Sequence, residues 1–168
     1  VAMHVMVALM RMGRRTGALD LDVRQRSLTR YVENRSRWIS GRGVQLPTPQ
    51  ILELSESPQR SLDLAEAEDE TSFRAALRRL SETCDFIVID SPGGDSFLAR
   101  MAHSWADTLI TPLNDSFVDF DLLGSIDEHN ADIVRPSIYS EMVWESRKKK
   151  ALAARTPIDW VVLRNRTS

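Results

Sequence analysis

One cysteine, Cys84, is present in 168 residues, so no disulfide within the chain holds the fold together. It stands just ahead of an apolar run and reads as a small buried hydrophobe, and a lone thiol fits a reducing cytosol. Three histidines, His4, His103 and His129, fall at no metal-ligand spacing, so no structural zinc is expected. No stretch approaches the length of a membrane-spanning helix. The apolar opening is followed by Arg11, Arg14 and Arg15, the reverse of the charge order of a signal peptide. Charge of one sign is lacking too: 22 Lys and Arg against 24 Asp and Glu leave a net −2, which gives no reason to expect bulk polyanion binding. There is no internal repeat. What remains is the ordinary composition of a globular protein, with 42% hydrophobic and 27% charged residues and enough length for one domain with a sizeable core.

The most informative stretch is Asp85-Phe86-Ile87-Val88-Ile89-Asp90-Ser91-Pro92-Gly93-Gly94-Asp95. Four apolar residues, three of them β-branched, read as a strand of a parallel sheet buried on both faces. The strand ends on a carboxylate, and Pro-Gly-Gly stops it from continuing. Open α/β sheets bind ligands at the carboxyl ends of their strands, where Asp90 would face a hydrated metal ion or a phosphate. An isolated Asp in this place would more simply cap a turn. However, Gly17-Ala18-Leu19-Asp20-Leu21-Asp22 repeats the pattern, and two strands delivering acids to one sheet edge suggest a polar site with a cation.

The wider pattern predicts helix 1–13, strand 17–21, helix 26–39, loop 40–50, a polar segment 55–70, helix 71–83 and strand 85–90. Helix 96–104, strand 107–111, helix 117–133, helix 140–154 and strand 159–163 follow. Alternating strands and helices predict an α/β fold with a doubly wound, mostly parallel sheet and helices on both faces.

At the level of motifs, Asp20-Leu21-Asp22-x-Arg24-Gln25 and Phe86 to Asp95 resemble the two switch segments of the deviant-Walker ATPases, the ParA/MinD group. Arg100-Met101-Ala102-His103, the run Ala106 to Asp121 and Asp159-Trp160-Val161-Val162-Leu163-Arg164-Asn165-Arg166 are more specific. They are similar to the MipZ branch of that family, the ATPases that position the bacterial division plane. The resemblance covers nearly the whole chain, with a variable patch at 55–75.

The resemblance implies an ATPase that uses ATP and magnesium. Asp22 would position the attacking water. Asp90 would hold magnesium through water, the Gly94 N–H would sense the γ-phosphate, and the Asn165 amide would read the adenine edge. It also implies an ATP-dependent homodimer with Asn114 and Asp115 on the dimer face. Its partners would be ParB, FtsZ, whose polymerisation it would inhibit, and non-specific DNA, with no membrane. The location would be cytoplasmic, either nucleoid-associated or polar. The basic cluster Arg147-Lys148-Lys149-Lys150 would contact DNA phosphates; by itself it reads as a solvated helix face. The family's phosphate loop, Lys-Gly-Gly-x-Gly-Lys-[Ser/Thr], does not occur in this sequence. The chain is therefore expected to be a single ParA/MinD-like ATPase domain over 1–168, incomplete and truncated at both ends.

Two other readings stand beside this one. A receiver-type phosphoacceptor domain would also gather Asp20, Asp22 and Asp90 with a later Thr111, but it needs a Lys where this chain has Arg164-Asn165-Arg166. A metabolic ATP-dependent ligase of the same fold is compatible with fold alone.

Overall fold

A computed structural model describes residues 1–22, 24–114, 123–126 and 133–165. The chain forms two compact units, Val1–Ala99 and Arg100–Ser168, and each is described by itself.

The first unit is built on three parallel strands. β1 is Thr16–Asp20, β2 is Gln50–Glu53 and β3 is Phe86–Asp90, in the order β2-β1-β3. Every residue of β1 is buried, as its place in the middle requires. Side chains alternate across a strand, so neighbouring residues of β1 meet different helices. Ala18 packs with Met6 and Met10 of α1 (Ala2–Arg11) and with Leu28 and Val32 of α2 (Ser27–Arg42). Gly17 points the other way. A Cβ there would lie 3.1 Å from Cys84 Sγ and 3.2 Å from Leu80 Cδ2, the latter on α3 (Leu62–Ser81). The sheet thus carries helices on both faces, and Gly17 is the residue that lets α3 approach. Phe73 and Leu80 of α3 are fully buried. α2 ends at Gly43, whose φ of +62° is the left-handed cap that glycine adopts without strain.

The second unit pairs β4 (Thr108–Leu113) with β7 (Asp159–Arg164) in parallel. The strands β5 (Gly124–Ile126) and β6 (Ile133–Pro136) pair antiparallel. Helix α5 (Ile138–Ala154) begins at Ser137, whose hydroxyl accepts from the Ser140 N–H at 3.0 Å. Its buried face carries Val143, and Leu113 and Ile158 are also buried in this unit. The boundary between the units falls inside α4 (Phe97–Trp105).

The expected α/β class is what the structure has: parallel sheets flanked by helices. Three expectations change. The helix expected over 117–133 is contradicted where that range is described. Gly124–Ile126 is a strand, and Ile133 already belongs to β6. Pro136 pairs opposite Gly124, and the residue before a proline is pushed away from helical backbone, which suits Arg135 to a strand. The rest of that span lies outside the described residues. β2, which the sequence reading left in and beyond loop 40–50, is a strand of only four residues. The polar segment 55–70 is largely the first half of α3, which starts at Leu62 rather than near 71.

Candidate functional site

In the first unit the strand register places acids side by side. Asp20 lies opposite Asp90 on one side and opposite Glu53 on the other, so all three strands end on a carboxylate at one edge. Like charges at such spacing raise one another's proton affinity unless something separates them. Asp20 is fully buried, but it is satisfied from within the fold. Its Oδ1 accepts the Asp22 N–H at 3.0 Å, and its Oδ2 accepts the Thr29 N–H at 3.0 Å and the Thr29 hydroxyl at 2.8 Å. Asp20 is thus the floor of the site, tying the strand end to the first turn of α2.

Asp90 is different. Burial raises its carboxyl above the usual carboxylate range, and the charges of Asp20 and Asp22 raise it further. Helix α1 packs against β1 and β3. No side chain caps the start of α1, and the His4 and Val5 N–H groups donate to the Val1 carbonyl at 2.9 and 3.1 Å. An acid that burial and its acidic neighbours disfavour suits a partner that brings positive charge, such as a hydrated cation.

Asp22 begins the turn that follows β1. Its Oδ1 accepts the Gln25 N–H at 3.1 Å, and its carbonyl accepts the Arg26 N–H at 2.7 Å. Its carboxylate is partly exposed. Gly94 is exposed, and its N–H donates to the Pro92 carbonyl at 2.9 Å. A Cβ at Gly94 would meet nothing within 4 Å, so no crowding from the chain requires glycine there. Among the described residues no group of three His, Cys, Asp or Glu could hold a metal ion directly.

In the second unit Asn114 and Asn165 follow the paired ends of β4 and β7, where the Asn165 N–H donates to the Leu113 carbonyl at 2.6 Å. Both are exposed. Asp115 lies outside the described residues. The basic cluster on α5 divides. Lys150 is only 12% exposed and is bonded at 2.6 Å to both the Ala106 carbonyl and Asp107 Oδ1, and at 3.3 Å to the Trp105 carbonyl. It closes the C-terminal end of α4, and this corrects its assignment to a DNA face. Arg147 lies over the exposed Trp144 ring at 5.7 Å, and Lys148 pairs with Glu145 at 2.5 Å. Lys149 is exposed. Thr111, the hydroxyl that a receiver-type domain would use, is 3% exposed and bonded to Tyr139 Oη at 2.7 Å and Trp160 Nε1 at 3.0 Å. It serves packing.

Sequence reasoning missed Glu53 and Arg26. Glu53 ends a strand too short to show an alternating pattern. Arg26 adopts a left-handed backbone, φ +50°, which nothing in its sequence neighbourhood announces.

The family described as ATPase MipZ matches residues 1–168, and the chain belongs to that family of ATPases. No curated protein matches the chain.

Proposed function

We propose that this ATPase works as a nucleotide-driven dimerisation switch that helps to place the bacterial division site. The observation that carries this reading is the grouping of Asp20, Asp22 and Asp90 at one end of a parallel sheet. The family match runs through both units without a break, which supports reading 1–168 as one ATPase domain. ATP is the substrate, and Asp90 would hold magnesium through water. The ion, when bound, supplies charge neutralisation for the phosphates. The chain's own residues then have separate tasks. Asp20 fixes the strand end, Asp22 orients and polarises the attacking water, and the Gly94 N–H turns from Pro92 to the terminal phosphate. Asn165 reads the adenine edge with an amide that both donates and accepts. Asn114 and Asp115 lie on the dimer face.

The partners follow from the family. The ATP-bound dimer associates with non-specific DNA through Arg147, Lys148 and Lys149, is recruited by ParB, and inhibits FtsZ polymerisation. Its place is the cytoplasm, on the nucleoid or at a pole, without membrane attachment.

Asp22→Asn in the full-length gene product tests the central step. A group that positions water acts in the transition state, whereas ground-state phosphate contacts come from elsewhere. Hydrolysis should fall by about a hundredfold or more while ATP-dependent dimerisation persists. Turnover at the wild-type rate would remove Asp22 from this role.

A further inference from the structure

The turn from Asp22 to Arg26 is held at both ends, and the second hold is an ion pair between two residues with no role so far. At the start, Asp20 Oδ1 accepts the Asp22 N–H. At the finish, the Arg26 guanidinium reaches Glu53 Oε1 with Nη2 at 2.6 Å and Nε at 3.2 Å, and Nη2 lies 3.4 Å from Glu33 Oε1. Arg26 stands at φ +50°, ψ +35°, a left-handed conformation unfavourable for a residue with a Cβ. Such a conformation persists only where the surroundings impose it. What imposes it is visible: the Arg26 N–H is bonded to the Asp22 carbonyl at 2.7 Å, and the side chain is forked onto the end of β2.

We infer that Arg26 and Glu53 form a clamp that positions Asp22 for catalysis. The inference rests on the reading of Asp22 as the group that orients the attacking water. β2 is a fixed reference, because it pairs with β1 along its length and places Glu53 opposite Asp20. Through Glu53, Arg26 closes the turn back onto the same strand end from which it leaves. The Asp22 carboxylate accepts from the Gln25 N–H, the Asp22 N–H donates to Asp20 Oδ1, and the residue is thereby kept beside the acidic edge. The charge state suits the task. Arg26 holds Glu53 below its usual range, so the pair stays ionised at neutral pH. The pair is partly exposed, at 40% and 33% of the side chains, so salt weakens it. A clamp of this kind is a positioning device: neither residue touches the reacting atoms.

The test uses the full-length gene product and five variants: Arg26→Gln, Glu53→Gln, the double variant, Arg26→Gly and Asp22→Asn. The clamp predicts a kcat lowered about tenfold or more in either single Gln variant, with KM for ATP unchanged. The double variant should be no slower than the worse single one, since both remove the same contact. Arg26→Gly separates clamp from backbone strain. Glycine adopts the left-handed conformation freely, so this variant should melt no lower than wild type and yet lose the same kcat. Amide exchange at Gln25 and Arg26 should quicken in every clamp variant while exchange in β1 stays unchanged. Wild-type kcat in the two single Gln variants, with Asp22→Asn inactive, would overturn the clamp and leave Asp22 in its role. Wild-type turnover in Asp22→Asn would overturn both.

Discussion

At the scale of single residues, Asp90 holds the most consequential imbalance. Burial and the neighbouring acids raise its carboxyl, so the folded protein binds a proton there more readily than the unfolded chain does. The sign follows from that difference. Destabilisation builds as pH rises from the ordinary carboxylate value to the raised one, and it stays constant above that. Asp90→Asn removes the charge while keeping the shape. It should therefore raise the melting temperature at neutral pH in the absence of nucleotide. The advantage should shrink as pH falls and vanish once the unfolded carboxyl is protonated as well. Thermal melts of both proteins from acid to neutral pH measure this, and parallel curves at all pH values would contradict it. Asp20 sits beside Asp90 in register, yet it is fully buried and accepts three hydrogen bonds from Asp22 and Thr29. One acid is built into the structure, and the other is the one that the proposed function turns to a ligand.

At the scale of elements, Lys150 of α5 closes the end of α4. Its ammonium meets the Trp105 and Ala106 carbonyls at the end of α4, and Asp107 as well. Asp107 is 98% exposed, so the ion pair itself adds little, and the weight lies with the two carbonyls. Lys150→Met keeps the length of the side chain and leaves these acceptors without their donor. Urea unfolding should show a loss of about 1–3 kcal/mol. Lys149→Met, one residue away on the exposed side, should stay within about 0.5 kcal/mol of wild type. The sequence could not separate these two lysines, because four cations in a row carry no mark of which one turns inward. It disclosed the strands that are apolar and five or more residues long, β1, β3, β4 and β7. It did not disclose β2, whose Gln50 and Glu53 ends look polar, nor the acidic first half of α3, where Asp69 is buried against the Ser57 N–H at 2.7 Å. Asp20 and Asp90 could be read because a strand that stops on an acid is a local signal, whereas Asp22, two residues past its strand, was singled out through the resemblance. Arg26 and Glu53 could not be read, because they meet across 27 residues of chain.

At the scale of the whole molecule, the proposed function draws on groups in both units. The acids belong to the first, and Asn165 and the cations of α5 to the second. The nearly balanced net charge of −2 means that any attraction for DNA comes from a local patch rather than from the overall field. Charge reversal of Arg147, Lys148 and Lys149 together should weaken DNA association without changing nucleotide turnover. The slope of log affinity against log salt should fall by about one for each phosphate contact removed. An unchanged slope would return these three residues to the role of a solvated helix face.

One feature of the first unit bears on how the protein behaves in a tube. Among the described residues β3 pairs with β1 alone, and the strand expected to be buried on both faces has Phe86 exposed and Ile87, Val88 and Ile89 only half-buried. Such a strand is a template, and the strands it selects are extended and apolar, as it is. The chain on its own should therefore have a solubility ceiling set by strand addition rather than by loss of fold. Light scattering should show apparent mass climbing with concentration at temperatures where the helices remain intact. The amides of Phe86–Asp90 should gain protection from exchange as it climbs. Constant mass up to high concentration would mean that the strand is shielded.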